Sequence, residues 1–306
     1  MNEVQASPRA GDFALRALVS ALRPRQWIKN LLLGVPLVLA HEGLSGARLL
    51  GVVWGFAAFC LAASAGYVVN DLLDREADRL HPLKRLRPFA SGALSVRQGA
   101  LLAAGLTLAA LAVSLLCVGT PFAGMLLLYL ALTLSYSLYF KEKLFLDVLL
   151  LAGLYSLRVL SGAVAADVLV SPWLLGFSLF FFLSLAFVKR YCEVRRFADG
   201  SGAQLARRNY RGDDLGLIQT LGPTSAYLSV LVLALYITSR DVARLYATPE
   251  LLWLVCPILL YWVTRIWFLA ARGELPDDPV LFAAGDPQSY VAAALIGLAG
   301  FFATIG

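Results

Sequence analysis

Long apolar runs recur along the whole chain, each close to the ~20 residues an α-helix needs to cross a hydrocarbon core. They fall at approximately 26–41, 49–70, 97–117, 120–139, 144–165, 172–190, 217–238, 250–270 and 286–304. Inside a bilayer the backbone must satisfy its own hydrogen bonds, so runs of this length are helices that pack against one another. With 306 residues, 59% hydrophobic content and a mean hydropathy of +0.74, the chain is too apolar for an ordinary water-soluble domain. The expected fold is an all-α membrane protein: a nine-transmembrane-helix bundle with cytoplasmic cap loops around a central cavity.

Residues 1–22 read as a cytoplasmic or interfacial segment, and 23–306 as a single transmembrane domain. Phe13 to Leu22 is weakly amphipathic with Arg16 and suits a helix lying along the membrane surface. The first run follows Arg23, Arg25 and Lys29, as in a signal peptide. The residues after Ala40 offer no small-x-small cleavage site, so we assign the run as a span.

Basic residues set the orientation. Twenty of the 26 fall in the amino-terminal segment and in the loops after the second, fourth, sixth and eighth runs. Only Arg48, Arg240 and Arg244 fall on the other side. This bias expects a multi-pass protein of the cell (inner) membrane with its amino terminus and its long charged loops in the cytoplasm. The net charge of +6 then reflects topology and attraction to anionic lipids and phosphates, with no nucleic acid as partner. The four cysteines are widely spaced and the two histidines are too few for a His-rich centre, so neither a disulfide framework nor a zinc site is expected.

The loop after the second run carries the chemistry. It reads Asn70-Asp71-Leu72-Leu73-Asp74-Arg75-Glu76-Ala77-Asp78, then His81-Pro82-Leu83-Lys84-Arg85-Leu86-Arg87-Pro88. On a helix Asp71, Asp74 and Asp78 lie within about 60° of one face. At roughly 6 Å and an effective dielectric near 20, each carboxylate pair repels by about 3 kcal/mol. A hard cation relieves that repulsion, and Mg2+ characteristically binds one or two carboxylates plus substrate phosphates. Asn70, Asp71, Asp74 and Asp78 are therefore the candidate metal and catalytic residues, with a solvated acidic loop as the plain alternative. His81, Lys84, Arg85 and Arg87 follow directly and suit phosphate oxygens.

Further candidates are polar groups at or within the spans. Arg23-Pro24-Arg25-Gln26-Trp27-Ile28-Lys29-Asn30 brings cations and an amide to the bilayer entrance, with Trp27 expected as an interface anchor. Tyr136, Lys141 and Lys143 close the fourth run, and Asp147 opens the fifth. Arg158 lies three turns beyond Asp147 on the same face, where a mid-membrane arginine does not face lipid. Its expected role is either holding a phosphate or bonding helix to helix. Lys189, Arg190 and Glu193 begin a second charged loop, about 189–216, which includes Arg207, Arg208 and Tyr210. Asp277, Asp278 and Asp286, flanked by Pro276 and Pro279, read as a solvated turn.

Asn-Asp-x-x-Asp-x-x-x-Asp after the second span, then a basic loop ending in Arg-Pro, resembles the UbiA superfamily of intramembrane prenyltransferases. Arg23-Pro-Arg-Gln-Trp-Ile-Lys-Asn30, His81-Pro-x-Lys-Arg-x-Arg-Pro88 and Lys189-Arg-Tyr-x-Glu193 resemble its decaprenyl-phosphate phosphoribosyltransferase branch. The resemblance implies nine helices around a cavity open to the cytoplasm and the bilayer, and Mg2+ as cofactor. It places Lys29, Tyr136, Lys143, Lys189, Arg190 and Glu193 around the sugar phosphate and the lipid phosphate. Aromatic prenyltransferases of the superfamily carry a second Asp-rich motif after the sixth span, where this chain has Lys189, Arg190 and Glu193.

The expected reaction is Mg2+-dependent transfer of 5-phosphoribose from phosphoribosyl diphosphate to a polyprenyl phosphate, releasing diphosphate. Membrane lipids are the expected surroundings, and a homo-oligomer is compatible with the pattern. The alternatives are an aromatic prenyltransferase using a prenyl diphosphate and a lipid or solute transporter, in which Asp147 and Arg158 would line a path.

Overall fold

The computed structural model describes residues 10–40, 45–80, 82–199, 209–240, 242–276 and 278–305. The chain opens with α1 (Ala10–Leu22), α2 (Val35–Leu39), α3 (Gly46–Leu73) and α4 (Arg75–Leu80). Next come α5 (Val96–Val113), α6 (Thr120–Leu138), α7 (Leu146–Ala166) and α8 (Pro172–Ala198). The last third holds α9 (Leu215–Ile237), α10 (Val242–Leu245), α11 (Val255–Arg272), α12 (Pro279–Ala283) and α13 (Pro287–Ile305). No strand occurs among the described residues.

Eight helical segments among the described residues are long and apolar enough to cross a membrane. Each coincides with one of the apolar runs from 49–70 onward, and together they make the chain an integral membrane protein. The first run, 26–41, departs from the expectation. It is a 3₁₀ stretch over Pro24–Gly34 followed by the five-residue α2. Regular α geometry begins only at Val35, with Pro36 in the first turn, where a missing N–H is harmless.

Local signals account for several helix ends. Ser95 caps α5 in a reciprocal box: its Oγ accepts from Gln98 N–H, and Gln98 Oε1 accepts from Ser95 N–H. Ser171 caps α8 with Pro172 at the first helical position. Helix α8 runs on to Ala198, so Lys189, Arg190 and Glu193 sit on a helix and not in the expected loop. The hydrogen-bond ladder forces that extension, because a helix leaving a bilayer keeps its i to i−4 bonds until a breaker arrives, and none stands before Asp199.

The chain divides into two compact units. One takes the chain up to Trp27 together with Trp54–Leu138. Its core sets Phe59 against Phe122 and Tyr129, with ring centroids 5.8 and 4.9 Å apart. A second cluster gathers Ala21, Val68, Phe89 and Ala103. The Trp27 indole N–H donates to Ser64 Oγ at 3.0 Å, and Ser64 Oγ donates to Leu22 O at 2.8 Å. The buried Ser64 thus ties the end of α1 and the start of the 3₁₀ stretch to α3.

The other unit takes Ile28–Val53 and the chain from Tyr139 onward. Helix α8 packs between α7 and α9, and α11 packs against α9 and α13. The Trp267 indole covers Gly222, where a Cβ would collide with the ring, and donates to Ser184 at 3.0 Å. Gly162 on α7 plays the same part toward the 3₁₀ stretch, since a Cβ there would fall on the Leu33 backbone.

Candidate functional site

Within the first unit, Asp71 occupies the last turn of α3, Asp74 the turn that follows, and Asp78 the short helix α4. Backbone bonds from Asp74 N to Asn70 O and from Asp78 N to Asp74 O carry the helical track through the break. Asp71 and Asp78 are buried, with Asp71 only 2% exposed. Such carboxylates need partners, and they have them. Arg23 Nη2 donates to both Asp71 oxygens at 2.6 and 2.9 Å. Arg87 Nη1 donates to Asp71 Oδ1 at 3.1 Å and to Asp78 Oδ2 at 2.7 Å.

Arg23 takes a positive φ of 50° just past α1, a place that favours glycine and costs another residue about 1 kcal/mol or more. The ion pair with Asp71 and the guanidinium's position 5.2 Å from the Tyr67 ring centroid offset that cost. Arg75 and Arg79 pair instead with the exposed Glu76. The Arg75 hydrogen bond, with the Arg79 charge, holds the Glu76 carboxyl below its ordinary range. A solvated-loop description therefore suits Glu76, whereas Asp71 and Asp78 are buried.

The three aspartates do not close on one point. Asp74 accepts from Asn70 Nδ2 at 3.2 Å, while Asp71 and Asp78 meet across Arg87. No group of three acidic, His or Cys side chains among the described residues is gathered to hold a metal. The physical reason is the repulsion anticipated above: with a guanidinium at hand, two carboxylates share it and the third turns to an amide. As a donor set, Asn70, Asp71, Asp74 and Asp78 supply only hard oxygens, the kind Mg2+ takes, and Arg87 shows that a cation fits between two of them. Lys84 and Arg85 are exposed on a 3₁₀ turn, Tyr136 is half-buried near the end of α6, and His81 lies outside the described residues.

The second unit gathers buried cations. Lys29 and Arg158 are 7% and 5% exposed. Lys29 pairs with Asp278, whose other oxygen accepts from the Val280 and Leu281 N–H groups at the start of α12. Burial alone would raise the Asp278 carboxyl, but the charges of Lys29 and Lys189 outweigh it and hold the group below its ordinary range. Arg158 Nε donates to Asn30 Oδ1 at 3.0 Å, and Nη1 to Leu154 O at 2.9 Å. The Tyr155 ring neighbours both cations, its centroid 5.8 Å from Lys29 Nζ and 5.5 Å from Arg158 Cζ.

Arg190 is wholly buried and clamped between Asp147 and Glu193. Tyr210 completes this group: its hydroxyl donates to Asp147 Oδ1 at 2.8 Å and accepts from the Phe145 N–H at 3.1 Å. Lys143 is exposed, with Nζ 4.4 Å from the Tyr139 ring centroid.

Three residues correct the sequence expectations. Asp278 is a half-buried ion-pair partner and helix cap where a solvated turn was expected, and Asp286 is bound bidentately by Arg265. Asp278 directly before Pro279 is an N-cap followed by Pro at the first helical position, a signal that marks a helix start. Tyr210, grouped with a solvated loop, is buried and carries no local signal, since its partners lie more than 60 residues away. Arg207, Arg208 and Asp277 lie outside the described residues.

The model of the UbiA prenyltransferase family matches residues 31–284. The protein y4nM of Sinorhizobium fredii is 38% identical over 92% of this chain, which spans 54% of that protein's length. The decaprenyl-phosphate phosphoribosyltransferase of Mycolicibacterium smegmatis is 36% identical over 78% of this chain and 76% of its own. Among solved structures, a UbiA homolog from Archaeoglobus fulgidus bound to GPP and Mg2+ superposes with a TM-score of 0.70, covering 94% of this chain and 99% of that one at 17% identity. That likeness shows a shared fold. An apolar eight-span framework, an Asn-Asp-x-x-Asp-x-x-x-Asp motif with two buried, cation-bound carboxylates, and a family match over most of the sequence agree: the chain belongs to the UbiA prenyltransferase family.

Proposed function

We propose that this protein is a UbiA-type transferase that moves 5-phosphoribose from phosphoribosyl diphosphate onto a polyprenyl phosphate, releasing diphosphate. The observation that carries this reading is the pair of cations Lys29 and Arg158 buried in the second unit, together with Lys189, Arg190 and Glu193 standing in place of a second Asp-rich motif. Cations at that point suit an acceptor that is itself a phosphate. The name of the relative at 36% identity supports the same assignment.

Asn70, Asp71, Asp74 and Asp78 would hold Mg2+, named also for the A. fulgidus homolog. The ion would supply charge neutralisation on the departing diphosphate. Arg23 and Arg87, which already face those carboxylates, would turn to phosphate oxygens, with His81, Lys84 and Arg85 beside them. Lys29, Tyr136, Lys143, Arg158 and Lys189 would hold the sugar phosphate and the lipid phosphate. The bond from the anomeric carbon to diphosphate breaks, and a bond to a lipid phosphate oxygen forms. That nucleophile is already an anion, so no general base is needed. The charge bias of the loops supports an amino terminus and a reaction on the cytoplasmic face of the cell membrane.

Purified protein in lipid nanodiscs with Mg2+, polyprenyl phosphate and phosphoribosyl diphosphate is expected to yield a lipid heavier by one phosphoribosyl group, read by mass spectrometry. Diphosphate release that requires a prenyl diphosphate and ignores phosphoribosyl diphosphate would assign the chain to aromatic prenyl transfer instead.

A further inference from the structure

The backbone between α6 and α7 makes an expensive turn. Phe145 adopts φ 67° and ψ −38°, and Leu146 N–H bonds back to Leu144 O at 2.8 Å. This is a three-residue γ-turn of the rare, strained hand. A non-glycine residue held there costs of order 1–3 kcal/mol and persists only where its surroundings over-determine it. Phe145 is 45% exposed, so its own side-chain burial does little to hold the conformation.

The hold comes from Tyr210. Its oxygen accepts the Phe145 N–H and its proton goes to Asp147 Oδ1. Asp147 is fixed in turn by Arg190, both 0% exposed, and the Arg190 guanidinium lies 5.2 Å from the Tyr210 ring centroid. Burial, reinforced by the Asp147 charge, pushes the Tyr210 phenol well above its ordinary range, so the hydroxyl remains a donor throughout neutral pH. A buried group that fixes a strained turn carries information to whatever the turn presents. Two residues before Phe145 stands Lys143, the exposed cation of this segment.

We propose that Tyr210 is a positioning residue: through the Phe145 turn it sets where the Lys143 ammonium meets a substrate phosphate, without itself touching substrate. The identity of that phosphate rests on the function proposed above, whereas the coupling of Tyr210 to Lys143 does not. Arg190 then acts as the buried clamp of this device.

The test compares the full-length wild type with Tyr210→Phe, Lys143→Ala and the double variant in nanodiscs. Tyr210→Phe is expected to raise KM for the phosphorylated donor about tenfold with kcat changed less than about twofold, the mark of lost binding. In the Lys143→Ala background the same substitution is expected to change KM less than about twofold, because coupled residues are non-additive. Additive effects, or a fall in kcat with KM unchanged, overturn the proposal.

An amine-reactive label followed by mass spectrometry reads Lys143 independently of turnover. Tyr210→Phe is expected to change its labelling rate at least about threefold while Lys84 stays constant, and inorganic diphosphate to protect Lys143 in the wild type less once the hydroxyl is gone. Unchanged labelling overturns the coupling. Failure of phosphoribosyl diphosphate to turn over in the wild type, with labelling coupled as expected, overturns only the substrate assignment. Should Tyr210→Phe not fold alone, a Phe145→Gly background carries it, since glycine adopts the positive φ freely. There, loss of the hydroxyl is expected to shift KM less than about twofold, and a shift as large as in the wild type overturns the proposal.

Discussion

The Arg87 guanidinium lies 2.7 Å from the Asp78 carboxylate, and the same nitrogen reaches Asp71 at 3.1 Å. One cationic atom thus neutralises two buried acids. Substituting Arg87→Gln leaves those carboxylates facing each other, and stability is expected to fall by about 3 kcal/mol, the low end for breaking a buried pair because Arg87 is partly exposed. Millimolar Mg2+ is expected to restore more of the melting temperature in this variant than it adds to the wild type. Thermal melts with and without the metal check this, and an Mg2+-indifferent variant would remove the carboxylates as a divalent site.

Activity should separate the acids by their partners. Asp71→Asn and Asp78→Asn are each expected to lower kcat/KM at least about 100-fold, the scale of losing one preorganised electrostatic contact. Asp71 should cost more, because Arg23 loses its partner too. Glu76→Gln, whose carboxylate pairs with Arg75 and Arg79 at the surface, should stay within about twofold, since exposed pairs contribute little. Diphosphate release measured across the three variants decides the order.

Acid sensitivity should trace to Asp278. Its carboxyl is held below the ordinary 3.8, so it binds a proton more readily in the unfolded chain. The stability it contributes is fully present above that ordinary value and is lost as pH falls through the lower, folded value. Asp278→Asn is expected to lower stability at neutral pH by about 3–5 kcal/mol, because Lys29 stays buried without its counter-charge. The variant should also flatten the decline of melting temperature below about pH 4, and melts from pH 3 to 7 give the comparison; an unchanged acid limb would exclude Asp278 as its source.

Arg158 should resist conservative replacement. Its fork serves Asn30 through Nε and Leu154 O through Nη1, a geometry that an ammonium does not reproduce. Arg158→Lys is expected to cost about 1.5–3 kcal/mol, the range for hydrogen bonds made by a charged group. Asn30→Ala should add little in that background. A double-variant series in chemical denaturation measures this, and full additivity would separate the two residues.

Hydropathy revealed the eight long helices because transfer into lipid is a property of each segment by itself. At 26–41 it marked an apolar helical run but not its geometry, a 3₁₀ stretch ahead of a short α-helix, in which Lys29 and Asn30 are buried. Nor did it show that the sixth helix continues to Ala198, since a helix keeps its backbone bonds beyond the apolar stretch. The aspartate motif was legible from spacing, being local. Its pairing was not: Arg23 meets Asp71 across 48 residues and Lys29 meets Asp278 across 249. Charge counts cannot tell which cation reaches which acid. Tyr210 was lost for the same reason, as its importance lies in two distant hydrogen bonds.

Gly162 leaves the Leu33 backbone lying directly on α7, one helical turn from where Arg158 grips Asn30. With main chain against main chain there is no compressible side-chain layer, so the chain around Leu33, which belongs to the same unit as α7, is expected to move with that helix. Spin labels at the two segments should report a single narrow distance in every ligand state, and any opening of the bundle at this point must hinge elsewhere along the chain.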